Sequence, residues 1–476
     1  MPAPDDPSFP LVHVRPQQGW VNDPNGPFLH RGRYHLFFQH NPLTPLHGDI
    51  HWGHASSDDL VRWREEPLAL RPTPGGPDAA GCWSGCVVDD AGRATAVYTG
   101  LSEASVGTVC LAFSDDDGLL RWSAGQGPVA EAPPTVDPTA FRDPFLVHID
   151  GARYAVVGAG GRTPGSAMVL LFSCDDLDSW TYLGPLLDSC DPVASAHAPA
   201  DVWECPQLFR LDGQWVLVVS LWTADELGRV IALVGDLDTS GSAPRLRPRA
   251  SSLVDSGHDF YAPAVLVAPD RVLLWGWTWE DRSAADVSAA GWAGALTLPR
   301  ELSLSPGGQL LSAPAPELEG LLDSEAAALQ GLSDDLGGGP EILAASGDRF
   351  CLDLELHGDR GRASIALGPA GRPPLVLHLD LDAGVAQLAH TPQQAERRDH
   401  VTEGALPAGS AGHQVRIFVD GSVVETFVSG GPCFTERLYP SEPASWTATV
   451  TADSGFSVQW RLRALRPDVT VQHLLG

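Results

Sequence analysis

One segment of this chain returns at intervals of about sixty residues, and that recurrence constrains the fold more than any other feature. Ser57-Asp58-Asp59-Leu60-Val61-Arg62-Trp63 comes back as Ser114-Asp115-Asp116-Asp117-Gly118-Leu119-Leu120-Arg121-Trp122 and as Ser173-Cys174-Asp175-Asp176-Leu177-Asp178-Ser179-Trp180, with a weaker copy at Gly235-Asp236-Leu237-Asp238. Upstream of each copy stands a turn followed by an apolar run. Arg31-Gly32-Arg33 leads into YHLFF, Asp90-Ala91-Gly92 into RATAVY, Asp150-Gly151 into ARYAVVG and Asp212-Gly213 into QWVLVVS, and Pro269-Asp270 leads a fifth run, RVLLWGW. Short runs rich in Val, Leu, Tyr and Trp between Gly and Asp are strand and hairpin signals. Sixty residues hold four short strands with their turns, the content of one propeller blade. The spacing therefore predicts an all-β chain with a five-bladed β-propeller over residues 1–305, where unrelated hairpins of a sandwich would not keep so regular a period.

After Leu304 the texture changes to a Pro-, Gly- and Ser-rich connector, expected to be a linker over 306–340 with a short helix near Ser324 to Leu332. Further alternating stretches, FCLDLEL, RASIALG, PLVLHLDL, VRIFVDGSVVETFV, WTATVTAD and FSVQWRLRAL, predict a β-sandwich over 341–476.

Thirty basic and sixty acidic residues leave a formal charge of −30, which disfavours nucleic acid and anionic membrane surfaces and favours a small neutral ligand. Every Lys or Arg position is Arg. The N-terminus, MPAPDDPSFP, has neither the basic nor the apolar region of a secretory signal, and no run is long enough to span a bilayer. Eight cysteines over this length are too sparse for a disulfide framework and read as buried free thiols, so a cytoplasmic location is expected. Cys82 and Cys86 lack a matching pair nearby, so no metal site is expected. Nothing in the pattern sets an oligomeric state.

Equivalent innermost strands of a propeller converge on one funnel, so polar residues at a common phase of the repeat mark a site. The stations are Asn22-Asp23-Pro24-Asn25-Gly26, Trp83-Ser84-Gly85, Phe141-Arg142-Asp143-Pro144, Trp203-Glu204-Cys205-Pro206 and Asp259-Phe260-Tyr261-Ala262. From Asp23 through Trp83, Asp143 and Glu204 to Asp259 the steps are 60, 60, 61 and 55 residues. Two carboxylates suffice for glycoside hydrolysis, one attacking the anomeric carbon and one exchanging a proton with the leaving oxygen and then with water. A third can stabilise the oxocarbenium-like transition state. Solvated turns account for Asp58 and Asp116, but poorly for an Asp inside Asn-Asp-Pro-Asn-Gly.

These residues resemble glycoside hydrolase family 32, the invertases, inulinases and levanases. The resemblance rests on Trp20-Val21-Asn22-Asp23-Pro24-Asn25-Gly26, Phe38-Gln39-His40-Asn41-Pro42, His51-Trp52-Gly53-His54-Ala55, the Arg-Asp-Pro and Glu-Cys stations, the segment from Gly291 to Leu302, and the hairpin from Ile417 to Glu425. The resemblance implies Asp23 as nucleophile, Glu204 as acid/base and Asp143 as transition-state stabiliser, with Asn22, Gln39, Trp83, Ser84, Arg142 and Tyr261 lining the fructose subsite. It implies a retaining hydrolase that needs neither metal nor organic cofactor and acts on sucrose or short fructans. Arg142 is expected to keep Asp143 ionised, and apolar Trp203 to raise the pKa of Glu204.

Three departures bear on the leaving-group side. His47 stands where the family often has Trp and is either a substrate contact or a rim residue, Cys86 replaces a common Ser, and Trp277-Thr278-Trp279 only loosely matches a late Trp pair, leaving Trp279 as a candidate contact. The rivals are an inverting five-bladed glycosidase, a non-catalytic sugar-binding propeller and, among fructosidases, a sucrose 6-phosphate hydrolase, a fructan exohydrolase or a fructosyltransferase.

Overall fold

The computed structural model describes residues 6–102, 106–323, 329–333, 336, 341–390, 400–407, 412–440, 445–466 and 468–474, and they are predominantly β-strand. Five antiparallel sheets form in chain order. The first contains Gly19–His30, Arg33–Asn41, His51–Ser57 and Trp63–Leu70, and Trp292–Ala293 adds a parallel strand beside Gly19 and Trp20. The second is built on Gly81–Asp90, Arg93–Leu101 and Thr108–Ser114, the third on Ala140–Ile149 to Thr181–Asp188, and the fourth on Val202–Leu211 to Arg245–Leu253. The fifth joins Tyr261–Val267, Val272–Thr278, Arg300–Leu304 and Leu310–Pro314.

The repeated motifs have local causes. Four of the predicted turns are two-residue hairpin loops with both residues left-handed: Arg31-Gly32 (φ 50° and 80°), Ala91-Gly92 (53° and 88°), Asp150-Gly151 (51° and 88°) and Asp212-Gly213 (49° and 83°). That geometry matches the twist of the flanking strands, and Gly at the second position adopts it without steric cost. The Ser-Asp-Asp…Trp segment joins the third strand of a sheet to the fourth. In each clear copy the Trp indole closes the loop on a Leu carbonyl three residues back, Trp63 on Leu60 at 3.1 Å, Trp122 on Leu119 at 2.9 Å and Trp180 on Leu177 at 2.9 Å.

The first strand of each sheet lies against the first strand of the next, from Gly19–His30 through Gly81–Asp90, Ala140–Ile149 and Val202–Leu211 to Tyr261–Val267, which lies in turn against Gly19–His30. The largest apolar core runs between these sheets, with Val156, Leu170, Leu208, Leu217 and Leu233 fully buried. Beyond them stand two six-stranded sheets, one ordered 329–333, 457–464, 349–357, 412–420, 423–428, 433–437 and the other 341–346, 446–452, 362–369, 375–380, 385–390, 400–405. Alternate residues of both, among them Leu352, Leu354, Ile365, Leu377, Ile417 and Val450, share one core.

The connector differs from expectation. Leu310–Pro314 pairs with Arg300–Leu304, so the fifth sheet continues past residue 305, and a 3-10 helix follows at Pro316–Leu321. Of the helix expected near Ser324 to Leu332, residues 324–328 lie outside the described residues and Leu329–Ser333 is a strand paired with Ser457–Ala464. Short α-helices form instead at Pro192–His197, capped by Asp191, and Ala284–Ala290, capped by Ser283 and ended by left-handed Gly291. No helix among the described residues is long and apolar enough to cross a membrane.

A buried ionic lattice ties these parts together. Asp420 accepts the backbone N–H groups of Leu11, Val12 and His13, and His13 Nδ1 lies 2.8 Å from the same carboxylate. His13 Nε2 lies 3.0 Å from Glu425 Oε1, and Glu425 also accepts Leu298 N–H and Arg300 Nε–H. Arg300 reaches on to Asp255 at 2.7 Å. Burial opposes a charge on His13, but its bonds to Asp420 and Glu425 carry the pKa up to about 9.

Candidate active site

Each of the five first strands breaks register at the same level: between Val21 and Pro24, Trp83 and Gly85, Arg142 and Phe145, Glu204 and Gln207, and Tyr261 and Ala264. These are β-bulges, which re-aim side chains and end ladder pairing locally. Sequence explains them, because Pro24, Pro144, Pro206 and Pro263 have no N–H to give a ladder. In the second strand Gly85 takes this role, and a Cβ there would sit 2.1 Å from the Val97 carbonyl. Asp143, Cys205 and Ala262 hold left-handed φ values of 62°, 46° and 46°, a conformation that costs a non-glycine residue on the order of 1 kcal/mol or more.

The bulged N–H groups are stitched from sheet to sheet. Asp143 N–H donates to Thr99 Oγ1 at 2.7 Å, Cys205 N–H to Asp143 Oδ2 at 2.9 Å, and Ala262 N–H to Ser220 Oγ at 3.2 Å. Neighbouring sheets thereby fix one another's stations.

Asp23 is the most densely bonded group of the site. Its Oδ2 accepts from Ser84 Oγ at 2.6 Å and Gln39 Nε2 at 3.0 Å, and its Oδ1 accepts from Asn22 Nδ2 at 3.1 Å. Gln39 also bonds Ser84, and Trp20 Nε1 donates to Asn22 Oδ1 at 2.9 Å. The Cys205 thiol lies 3.5 Å from Asp23 Oδ2 and 3.6 Å from Asp143 Oδ2, so one side chain touches both carboxylates. Glu204, the residue before it, has Oε1 3.1 Å from Arg142 Nη1 and Oε2 2.7 Å from the Tyr261 hydroxyl, which also lies 3.0 Å from the Leu221 carbonyl. A phenol has one proton and two lone pairs. It donates to Glu204 when that group is ionised, and donates to Leu221 while accepting from Glu204 when that group is protonated.

Burial pushes the Asp23 carboxyl up to about 6, with the Ser84 bond pulling against it and the charge of Glu204 adding to it. Asp143 is pushed up to about 7 by burial first and Glu204 second, against Arg142. Burial and the three acids hold the Cys205 thiol protonated.

All eleven sequence candidates meet here. His47, exposed, stands edge-on to Trp20 and Trp83 at 6.1 and 6.2 Å, and Trp279 stacks on Tyr261 at 6.1 Å. Arg142 lies over Trp83 and Trp222 at 5.4 and 5.9 Å.

Two expectations are corrected. Arg142 makes its ion pair with Glu204, and Asp143, expected to stay ionised beside it, has its pKa raised because burial outweighs the charge. Trp203, expected to act on Glu204, points into the core and donates to the Ala198 carbonyl, as strand alternation requires of the neighbouring residue. Within the fifth station, Asp259-Phe260-Tyr261-Ala262, Tyr261 is the residue that reaches the site, whereas the Asp259 carboxylate is buried against Trp279 and Arg437. Thr99, Ser220, Trp222 and the bridging role of Cys205 escaped the sequence reading. Trp20 and Cys205 lay inside its motifs, whereas Thr99 and Ser220 sit on second strands among apolar residues and give no signal.

Half-buried Asp23, fixed by donors, beside a carboxyl whose partners suit both protonation states, is a centre that a two-carboxylate glycosidase requires. The chain matches the glycosyl hydrolases family 32 N-terminal domain over residues 13–314 and the family's C-terminal domain over 383–465. It is 33% identical to a sucrose-6-phosphate hydrolase of Escherichia coli across 94% of this chain and 93% of that one. It is likewise 33% identical to a raffinose invertase of Escherichia coli, covering 91% and 90%. A Bombyx mori β-fructofuranosidase variant in complex with sucrose superposes with a TM-score of 0.79 at 26% identity, covering 97% of this chain and 94% of that one. The chain belongs to glycosyl hydrolases family 32 and is a glycoside hydrolase.

Proposed function

We propose that the protein is a retaining β-fructofuranosidase that releases terminal fructose from sucrose and short fructo-oligosaccharides. In this reading the five sheets are the blades of a propeller whose first strands ring the funnel, and the two six-stranded sheets form a sandwich behind it. Ionised Asp23 attacks the anomeric carbon of the fructosyl unit while Glu204 gives its proton to the departing oxygen. Glu204 then takes a proton from water, which displaces Asp23 and restores the starting configuration. Asp143 accepts hydrogen bonds from fructose hydroxyls as positive charge develops on the ring. Asn22, Gln39 and Ser84 orient Asp23, Arg142 and Tyr261 hold Glu204, and Trp83, Trp279 and His47 border the sugar.

The observation that carries this reading is the meeting of three carboxylates around Cys205 and Tyr261. The relatives that hydrolyse sucrose 6-phosphate or raffinose, and the sucrose-bound neighbour, support a fructosyl substrate. A net charge of −30 favours the neutral disaccharide over its phosphate. Free thiols at all eight cysteines fit a cytoplasmic setting. Incubation with sucrose, its 6-phosphate, kestose, inulin and levan should give fastest fructose release from sucrose, with Asp23→Ala and Glu204→Ala each retaining less than about a thousandth of it. Wild-type rates in either variant, or no release from any of these sugars between pH 4 and 8, would refute the reading.

A further inference from the structure

We propose that Asp259, outside the carboxylate cluster, is a positioning residue through which the C-terminal sheet holds Glu204 ready for proton transfer; this rests on the acid/base role given to Glu204 above. Asp259 is buried where the fifth sheet meets the strand Cys433–Arg437. Its Oδ2 accepts the backbone N–H of Arg437 at 2.8 Å, and its own N–H donates to the Thr435 carbonyl at 3.1 Å. Its Oδ1 accepts the indole N–H of Trp279 at 2.5 Å. Trp279 stacks on Tyr261 with an interplanar angle of 13°, and the Tyr261 hydroxyl reaches Glu204. The hydrogen bonds on either side of the stack are directional and the two rings are near-parallel, so the chain transmits position and not merely bulk.

A carboxylate suits the place because two donors, one on each side, are fixed by other parts of the molecule. An amide of the same shape would turn an NH2 toward one of them and lose that bond. Without the bond to Asp259, the half-buried Trp279 ring keeps its edge contact with Trp277 but loses the hydrogen bond that sets its angle against Tyr261, and the phenol that serves both protonation states of Glu204 is held less firmly. The same strand also carries a link that bypasses this chain. Thr435 bonds Asp255 and Arg300 in the buried lattice, so a change in its side chain separates loss of interface strength from loss of positioning.

The test compares two substrates on the full-length protein: sucrose, whose leaving oxygen must be protonated, and an aryl β-D-fructofuranoside, whose leaving group departs without a proton. Asp259→Asn should lower kcat on sucrose by about tenfold or more while changing the aryl substrate by less than about twofold, a fraction of the whole general-acid contribution. Trp279→Phe, which replaces the indole by a phenyl ring and removes the N–H, covers the case in which Asp259→Asn does not fold; because Trp279 borders the sugar, it is read by the ratio of kcat on the two substrates, which should shift about fivefold or more against sucrose. Thr435→Val should lower the melting temperature and affect both substrates alike. Equal loss on both substrates, or no loss, in the Asp259 and Trp279 variants would overturn the proposal. Glu204→Gln separates the two failures: if it shows the leaving-group bias and the Asp259 variants do not, only the positioning role falls; if it lacks the bias, the acid/base assignment falls as well.

Discussion

In its proposed role as nucleophile Asp23 must be ionised, yet burial has raised its pKa to about 6, and the charge of Glu204 makes it harder to ionise. The sign follows directly. Below its pKa the carboxyl is protonated and idle, so kcat/KM on sucrose should fall on the acid side with an apparent pKa near 6, read from a pH–rate profile. A carboxyl whose folded pKa lies above its unfolded value costs stability once the pH exceeds both. Asp23→Asn should therefore raise the unfolding free energy at pH 8 by on the order of 1 kcal/mol while abolishing turnover, and do little at pH 4. Denaturant titration at the two pH values measures the difference. Sequence identified these residues because their motifs are unusual in strands. It misjudged their neighbours because adjacent strand residues face opposite ways and a side chain as long as Arg142 reaches past the residue beside it.

The working element is the bulged first strand, used five times. Its repeat was legible in the turns, the prolines and the sixty-residue spacing, all of which act locally. What escaped was the partner across the sheet boundary. Thr99 lies in a strand of otherwise ordinary composition, yet its hydroxyl accepts the bulged N–H of Asp143 and donates to the Ser84 carbonyl at 3.0 Å, joining the second sheet to the third. Thr99→Val keeps the shape and orphans that buried N–H. It should cost about 1–3 kcal/mol in chemical denaturation and lower kcat, because Asp143 hangs from the same bulge. Spacing was likewise imprecise at the fifth station, where the step is counted to Asp259 but the side chain that reaches the site is Tyr261, two residues on. Along a strand, counting residues does not see where the bulge falls.

Over the whole molecule, the N-terminal arm, the fifth sheet and one of the C-terminal sheets meet at His13, Arg300, Asp255, Asp420 and Glu425, none of them exposed. The hairpin from Ile417 to Glu425 was legible as a motif, but its job of anchoring residues 11–13 needs contacts over four hundred positions. His13 titrates near 6.5 when unfolded and at about 9 when folded, so its charge stabilises the protein fully below pH 6.5 and that contribution is lost as pH rises through 9. The melting temperature should accordingly drop between pH 7 and 9.5, and His13→Gln should flatten that drop while lowering the value at pH 7. The lattice matters because the site it supports is assembled from strands far apart in the chain, with Asp23 from the first sheet meeting Glu204 from the fourth. Mass spectrometry of acid-quenched Glu204→Gln after mixing with an aryl β-D-fructofuranoside tests that meeting most directly. The expected result is one fructosyl unit esterified to the peptide that carries Asp23; an adduct on any other residue, or a product released with inverted configuration, would contradict it.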